Sequence, residues 1–152
     1  MLLALAQAVR DGAVRLLRKV TIFLSVFEEV GHGASAGLPA DTQDLLVVDM
    51  GCVGEHLSCR ETQVSICAKD SSGPYDYEMT SEVIEAARCA GVDYTVDVYP
   101  RYGSDAATAL RAGMDIRTAL VGAGVYASHG YERTHVLGVE NTMKLLAAFV
   151  AR

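Results

Sequence analysis

The sequence predicts an α/β domain with a mostly parallel sheet flanked by helices. Continuous apolar runs rich in β-branched residues alternate with apolar stretches at helical spacing, which is the pattern of such a sheet. Hydrophobic residues make up 51% of the 152 residues and charged residues 21%, as expected where strands are buried on both faces. No linker, repeat or low-complexity segment interrupts this pattern, so residues 1–152 are expected to form a single domain.

Four helices are expected along the chain. The first, residues 2–9, carries almost no polar side chain and is therefore expected to be buried on all sides. The second begins near Thr80 and Ser81, whose hydroxyls suit a helix start, and ends before Gly91. The third and fourth are predicted over residues 106–112 and 138–150.

Five strands are expected between these helices. Each is an apolar run bounded by turn residues, and the first of them leads directly into two carboxylates. The predicted strands cover residues 20–27, 45–49, 63–68, 94–99 and 117–121.

The charge and the cysteines exclude several classes of function. A net charge of −6 without a basic cluster argues against nucleic acid as a partner. The apolar N-terminal stretch is too short to span a bilayer and has no basic start, so no membrane association is expected. The cysteines form no CxxC pair and predict reduced thiols packed in the core of a cytoplasmic protein; they are Cys52, Cys59, Cys67 and Cys89.

Two adjacent carboxylates, Glu28 and Glu29, follow the first predicted strand and precede Gly31 and Gly33. Neighbouring side chains of a strand point to opposite faces, so the two carboxylates share a site only if the strand ends at Phe27. The carboxyl end of a buried strand is where an open α/β sheet places its ligands. A solvated pair of carboxylates in a loop is the alternative.

Two further candidates lie at other predicted strand ends. Asp49 ends the second strand, and His129 lies in the glycine-rich loop after the last one. Carboxylate and imidazole donors together suit zinc, cobalt or manganese, and pairs of such ions activate water in aminopeptidases. A turn cap is the alternative role for Asp49.

Four motifs, in order along the chain, resemble those of the glutamyl-aminopeptidase-like metallopeptidases, which include deblocking and tetrahedral aminopeptidases and proteins once labelled cellulases. The motifs are EEVG at 28–31, VVD at 47–49, YGSDA at 102–106 and SHGYE at 128–132. The resemblance implies Glu28 as the general base, Glu29 and His129 as ligands of one metal ion, and Asp49 as a ligand of the other. It further implies two divalent ions (zinc or cobalt, with manganese possible), a peptide substrate and a homo-oligomer.

The resemblance covers only the C-terminal portion of such a catalytic domain. Members of the family are longer, and their first histidine ligand, their bridging aspartate and an inserted β-rich domain have no counterpart in these residues. The N-terminal part of the fold is therefore expected to be missing. The alternative to an aminopeptidase is a non-catalytic truncated remnant that binds metal weakly or acts only as an association module.

The remaining candidates have competing structural explanations. Asp105 is placed near the substrate by the resemblance, although helix capping by Asp105 or Ser104 explains it as well. His135 is expected to be hydrogen-bonded within its loop and His56 to lie at the surface, while His32 either lines the cleft or is solvated. A glycosidase, which also uses paired carboxylates, is disfavoured because the chain has no tryptophan and few aromatic residues. Self-association is expected through Leu2, Leu3, Leu5 and Phe23.

Overall fold

A computed structural model describes all residues 1–152, with four α-helices and seven β-strands. Two 3-10 turns, Glu28–Val30 and Gly33–Ser35, lie between the first helix and the first strand. The helices are α1 (Leu2–Arg10), α2 (Tyr77–Cys89), α3 (Asp105–Arg111) and α4 (Val136–Val150). The strands are β1 (Asp44–Val48), β2 (Gly51–Val53), β3 (Val64–Asp70), β4 (Gly73–Pro74), β5 (Tyr94–Val98), β6 (Arg117–Tyr126) and β7 (Arg133–Thr134).

The strands form one mixed sheet whose main order is β1-β6-β3-β5. β1 and β2 both run parallel to β6, and β3 runs parallel to β5, while the central β3–β6 pair is antiparallel. The predicted α/β class, with helices flanking a mostly parallel sheet, is confirmed. β1 lies at one edge of the sheet, so its outer side has no neighbouring strand.

Alternate residues of the central strands pack into two separate cores. Ile66 of β3 and Val121 of β6 face a larger core formed with α1, α2 and α4. Cys67 and Leu120, their neighbours in sequence, face a smaller core on the α3 side. These side chains are fully buried, so the central strands contribute to both cores.

The first predicted strand, residues 20–27, is wrong. No backbone N–H or C=O of residues 18–26 forms a hydrogen bond within the chain, so this segment belongs to no ladder. The apolar, β-branched composition favours a strand, but a strand also needs a partner, and none lies beside this segment.

The expectation that the first helix is buried on all sides is also wrong. Only Leu5 of α1 is buried, and Leu3 is 73% exposed. α1 packs chiefly against α4, and a helix with one neighbour can bury only one face. A bilayer-spanning helix, which needs a long apolar run, is not found among the four helices.

The four cysteines differ in burial. All four are free thiols, as expected. Cys59 and Cys67 are buried and Cys52 is partly so, but Cys89 is exposed near the end of α2, which corrects the prediction of core packing for that residue. The helix itself begins earlier than Thr80, because Asp76 caps it by accepting a hydrogen bond from the Met79 N–H.

Candidate active site

A sharp turn brings the two adjacent glutamates to the end of the sheet where β1 stops. Phe27 adopts a left-handed conformation (φ 67°) immediately before Glu28, and Gly31 adopts another (φ 76°) immediately after Val30. Glu28 and Glu29 therefore stand on a 3-10 turn rather than on a strand. Successive side chains of such a turn are about 120° apart, so the two carboxylates reach different neighbours.

Glu29 lies beside His129, from the far end of the chain. The Glu29 Oε2 and His129 Nδ1 atoms are 3.9 Å apart, and both side chains are largely exposed. His129 has a left-handed backbone (φ 60°), and its N–H donates to Glu132 Oε1 at 3.1 Å. A non-glycine residue in this conformation carries a small backbone strain, and such strain is often found at functional sites.

Glu28 is half-buried and faces other carboxylates. Burial raises the pKa of its carboxyl, and Asp49, Asp105 and Glu29 raise it further, while His129 opposes them. A carboxylate in such surroundings holds a proton more readily than one in water, which suits general acid–base chemistry.

Asp49 is fixed directly by β6. Its N–H donates to the Val121 carbonyl at 3.0 Å, and its Oδ1 accepts from the Met50 N–H at 2.6 Å. A Cβ at Gly122 would overlap the Asp49 carbonyl, so only glycine permits this close approach. One carboxylate oxygen thus caps the turn, as the alternative role predicts.

The Tyr102 hydroxyl is a member of this site that was quoted in a motif but given no role. The hydroxyl is fully buried, burial raises the pKa of Tyr102, and the adjacent Asp49 carboxylate, which lies within hydrogen-bonding reach, raises it further. Buried hydroxyls normally find a partner. The Asp49 carboxylate is the partner available to this phenol, so Tyr102 helps to position the Asp49 side chain.

Asp105 holds the glutamate loop in place. Its Oδ1 accepts from the buried Ala34 N–H at 2.9 Å, and a Cβ at Gly33 would overlap its carboxylate. The cap of α3 is Ser104, whose hydroxyl accepts from the Ala106 N–H. Of the two capping residues considered, the helix uses Ser104, and Asp105 is free to fasten the loop.

The other histidines lie outside this cluster. His135 Nδ1 accepts from the Leu137 N–H at 3.1 Å and caps α4, which confirms its structural role. His56 is almost fully exposed beside Glu55, as expected. His32 is also exposed and follows the glutamate turn, where its carbonyl accepts from the Ser35 hydroxyl.

A large groove connects the candidate residues to the sheet edge. It has a volume of about 990 Å³ and lies between residues 17–25 and β1, with Glu28, Asp49 and Asp105 at one end. We call it the β1 groove. No three histidine, cysteine, aspartate or glutamate side chains converge closely enough to hold a metal ion, so these residues supply a Glu29–His129 pair and a separate Asp49.

An α/β sheet that gathers carboxylates and an imidazole beyond its strand ends offers donor types that suit a divalent metal ion. Comparison with known sequences makes the class specific: the chain belongs to the M42 glutamyl aminopeptidase family, whose profile matches residues 1–145. A putative aminopeptidase of Bacillus subtilis (strain 168), YhfE, is 39% identical over 150 residues. That match covers 99% of this chain and 43% of the relative, so the chain spans less than half of the relative's length.

Solved structures share the fold. A TET aminopeptidase from a marine sediment archaeon, Thaumarchaeota archaeon SCGC AB-539-E09, superposes with a TM-score of 0.82 at 14% identity, covering 98% of this chain and 44% of that one. The Pyrococcus horikoshii TET1 peptidase, which can assemble into a tetrahedron or a large octahedral shell, gives a TM-score of 0.72 at 23% identity. The superposition covers 84% of this chain and 39% of the Pyrococcus horikoshii chain.

Proposed function

We propose that these residues are part of a metal-dependent aminopeptidase site that hydrolyses N-terminal peptide bonds. The observation that carries the proposal is the contact between Glu29 and His129, whose side chains are 3.9 Å apart although the residues are far apart in the sequence. Two side chains of metal-ligand type meet there at the edge where an α/β sheet places its ligands. Membership of the M42 family supports the same reaction.

Glu29 and His129 would hold one divalent ion, and Asp49 would hold a second. Zinc and cobalt suit this mixture of oxygen and nitrogen donors, and manganese is acceptable. Such ions lower the pKa of bound water and polarise the scissile carbonyl. Because no three ligands converge within these residues, the proposed site needs further donors from outside them.

Glu28 is the proposed general base. It is half-buried next to Asp49 and Asp105, at the end of the β1 groove. From this position its carboxylate can take a proton from the attacking water and deliver it to the leaving amine. Asp105 also lines the groove, and a carboxylate there suits the positively charged amino terminus of a peptide.

The cellular location and the oligomeric state of the protein are also proposals. Four free thiols support a reducing, cytoplasmic location. Exposed apolar side chains support a homo-oligomer, and the Pyrococcus horikoshii relative forms large assemblies. One observation favours the alternative, a non-catalytic association module: no three side chains that could bind a metal ion converge.

Calorimetric titration of zinc and cobalt tests the ligand assignment. We expect Glu29→Ala and His129→Ala to weaken binding by about tenfold or more, because each removes a direct ligand. His56→Ala is the matched control, since His56 and Glu55 also lie 3.9 Å apart but are nearly fully exposed. Equal affinities in all four proteins would refute the assignment.

Hydrolysis of an aminoacyl p-nitroanilide by the metal-loaded chain then separates the enzyme from the alternative. Glu28→Gln preserves size but removes the base, so we expect hydrolysis to be lost while metal affinity is retained. Hydrolysis that survives in Glu28→Gln would exclude Glu28 as the base. Because the proposed site needs donors from outside these residues, hydrolysis is measured with the unmatched part of the Bacillus subtilis relative co-expressed. A complex that binds metal but hydrolyses nothing would then favour the non-catalytic module.

A further inference from the structure

β5 forms the edge of the sheet opposite β1, and its register fixes which backbone groups face outward. Its one neighbouring strand is β3, to which it runs parallel. The Asp93 carbonyl and the Tyr99 N–H, at the two ends of β5, both bond to β3. Odd-numbered residues therefore face β3, and the N–H and C=O groups of Tyr94, Val96 and Val98 point away from the sheet.

The β5 edge has none of the features that normally discourage pairing with another chain. Val96 and Val98, on the same face of the sheet, are 43% and 49% exposed. Edge strands usually carry an outward-pointing lysine, a proline or a bulge, but β5 reads YTVDV and the register shift of this pair lies in β3. Its one charged residue is Asp97, whose carboxylate already accepts from the N–H groups of Ser58 and Cys59, each at 2.9 Å.

The sequence of β5 is complementary to itself around Val96. When two copies run antiparallel and are centred on this residue, Tyr94 lies opposite Val98 of the second copy, and Thr95 lies opposite Asp97 of the second copy. An aromatic side chain then meets a β-branched one, and a hydroxyl donor meets a carboxylate acceptor, which are both favourable cross-strand pairs. Every outward-facing residue also meets an outward-facing residue, so about six backbone hydrogen bonds can form.

We propose that β5 pairs with β5 of a second copy of this chain, antiparallel and about a two-fold axis at Val96, so that the two sheets become continuous. Backbone hydrogen bonds alone would accept many strands, whereas the side-chain pairs of a self-complementary strand favour its own copy. The contact is only one strand wide, so we expect a dissociation constant on the order of 10–100 micromolar. This pairing does not rest on the aminopeptidase activity.

Hydrogen exchange of the chain at about 10 and about 300 micromolar tests the pairing. The amides of Val96 and Val98 face outward, so we expect their exchange to slow by about threefold or more at the higher concentration. The amides of Thr95 and Asp97 bond to β3 and are expected to exchange equally slowly at both concentrations.

A charge exchange at residue 96 tests the two-fold axis, because this side chain faces its own copy. Val96→Lys and Val96→Glu each bring like charges together, so we expect both to weaken dimerisation about tenfold or more in sedimentation velocity. An equal mixture of the two variants brings opposite charges together and is expected to restore dimers. The controls are Val136→Lys and Val136→Glu, at an exposed valine of α4, which should leave dimerisation unchanged.

Any of three results would overturn the proposal. One is exchange at Val96 and Val98 that does not depend on protein concentration. Another is a mixture of the two Val96 variants that stays as dissociated as each variant alone, and the third is an equal loss of dimers in the Val136 controls. The exchange measurement uses the wild-type chain, so it decides even where a variant fails to fold. None of these measurements uses metal or hydrolysis, so their outcome is independent of the aminopeptidase activity.

Discussion

Asp105 and Gly33 pack against each other so closely that the carboxylate occupies the space where a side chain at residue 33 would begin. The same carboxylate accepts from the Ala34 N–H at 2.9 Å. Asp105 starts α3, and Gly33 follows the glutamate turn, so this contact joins the helix to the loop that carries Glu28 and Glu29. Asp105 thus positions the site as well as lining it.

Replacing Asp105 tests this contact. Asp105→Ala leaves the buried Ala34 N–H without an acceptor, so we expect the free energy of unfolding to fall by about 1–3 kcal/mol. Asp105→Asn keeps an acceptor oxygen at the same place and is expected to retain most of the stability. Urea denaturation followed by circular dichroism measures both, and equal losses in the two variants would argue against the hydrogen bond.

Gly122→Ala tests how Asp49 is held. The added Cβ would overlap the Asp49 carbonyl, so the end of β1 must shift and a cost of about 1–3 kcal/mol is expected. Gly122→Ala should also affect metal binding. Displacement of Asp49 should weaken the binding of the ion assigned to Asp49 more than that of the ion assigned to Glu29 and His129. Gly54→Ala is the control, because a Cβ there meets no neighbouring atom. Unchanged calorimetric titrations in Gly122→Ala would show that Asp49 does not depend on this contact.

The sequence predicted the α/β fold because the fold class depends on local patterns. Apolar runs identified β1 and β6, and Asp49 after β1 and His129 after β6 were two of the candidate residues. The predicted strand over residues 20–27 was wrong because strand pairing depends on what lies beside a segment, which no local pattern records. The burial of α1 was overestimated for the same reason.

The contacts that fix the site were also beyond a single sequence. Gly122 and Gly33 look like ordinary glycines until the atoms opposite them are known. The Tyr102 hydroxyl stood within a motif, but its burial beside Asp49 is a tertiary property. Two carboxylates followed by glycines are a local signal, whereas the contact of Glu29 with His129 requires the whole sheet between them.

Arg117 joins the edge strand to the rest of the fold. Its guanidinium donates to both Asp44 oxygens and to Glu82 Oε1, each at 2.8 Å. The three side chains are partly exposed, so solvent screening limits how much these ion pairs stabilise the fold. We expect Arg117→Ala to lower the free energy of unfolding by about 1 kcal/mol. This decrease should be smaller at high salt, which screens the ion pairs. Lys19→Ala removes an exposed pair with Asp41 and is expected to have no measurable effect; an equal loss there would contradict the assignment.

Self-association should be detectable by sedimentation velocity at tens of micromolar protein. Of the residues first considered, Leu3 is exposed but Leu5 is buried, and further apolar side chains are exposed at Leu24 and Phe27. Burying such side chains between copies is favourable. We expect Leu3→Glu to lower the association, while Tyr77→Ser, at an exposed residue of α2, serves as the control. A monodisperse monomer at this concentration would refute the prediction.

The buried thiols predict a loss of stability in alkaline solution. Burial raises the pKa of Cys52 and of Cys59 to about 11 and that of Cys67 to about 12. In the unfolded chain these thiols ionise near pH 8.5. Because the folded-state pKa values are the higher ones, the stabilisation is fully present below about pH 8.5 and is lost as the pH rises through about 11.

Urea denaturation at pH 8, 9 and 10 checks this dependence on pH. The free energy of unfolding should fall over this range in the wild type. Cys59→Ala is less stable at every pH but loses less on going from pH 8 to pH 10, because one ionising thiol is gone. Cys89→Ser, at the exposed cysteine, keeps the wild-type slope. A Cys59→Ala slope as steep as that of the wild type would mean that its thiol does not contribute to the alkaline transition.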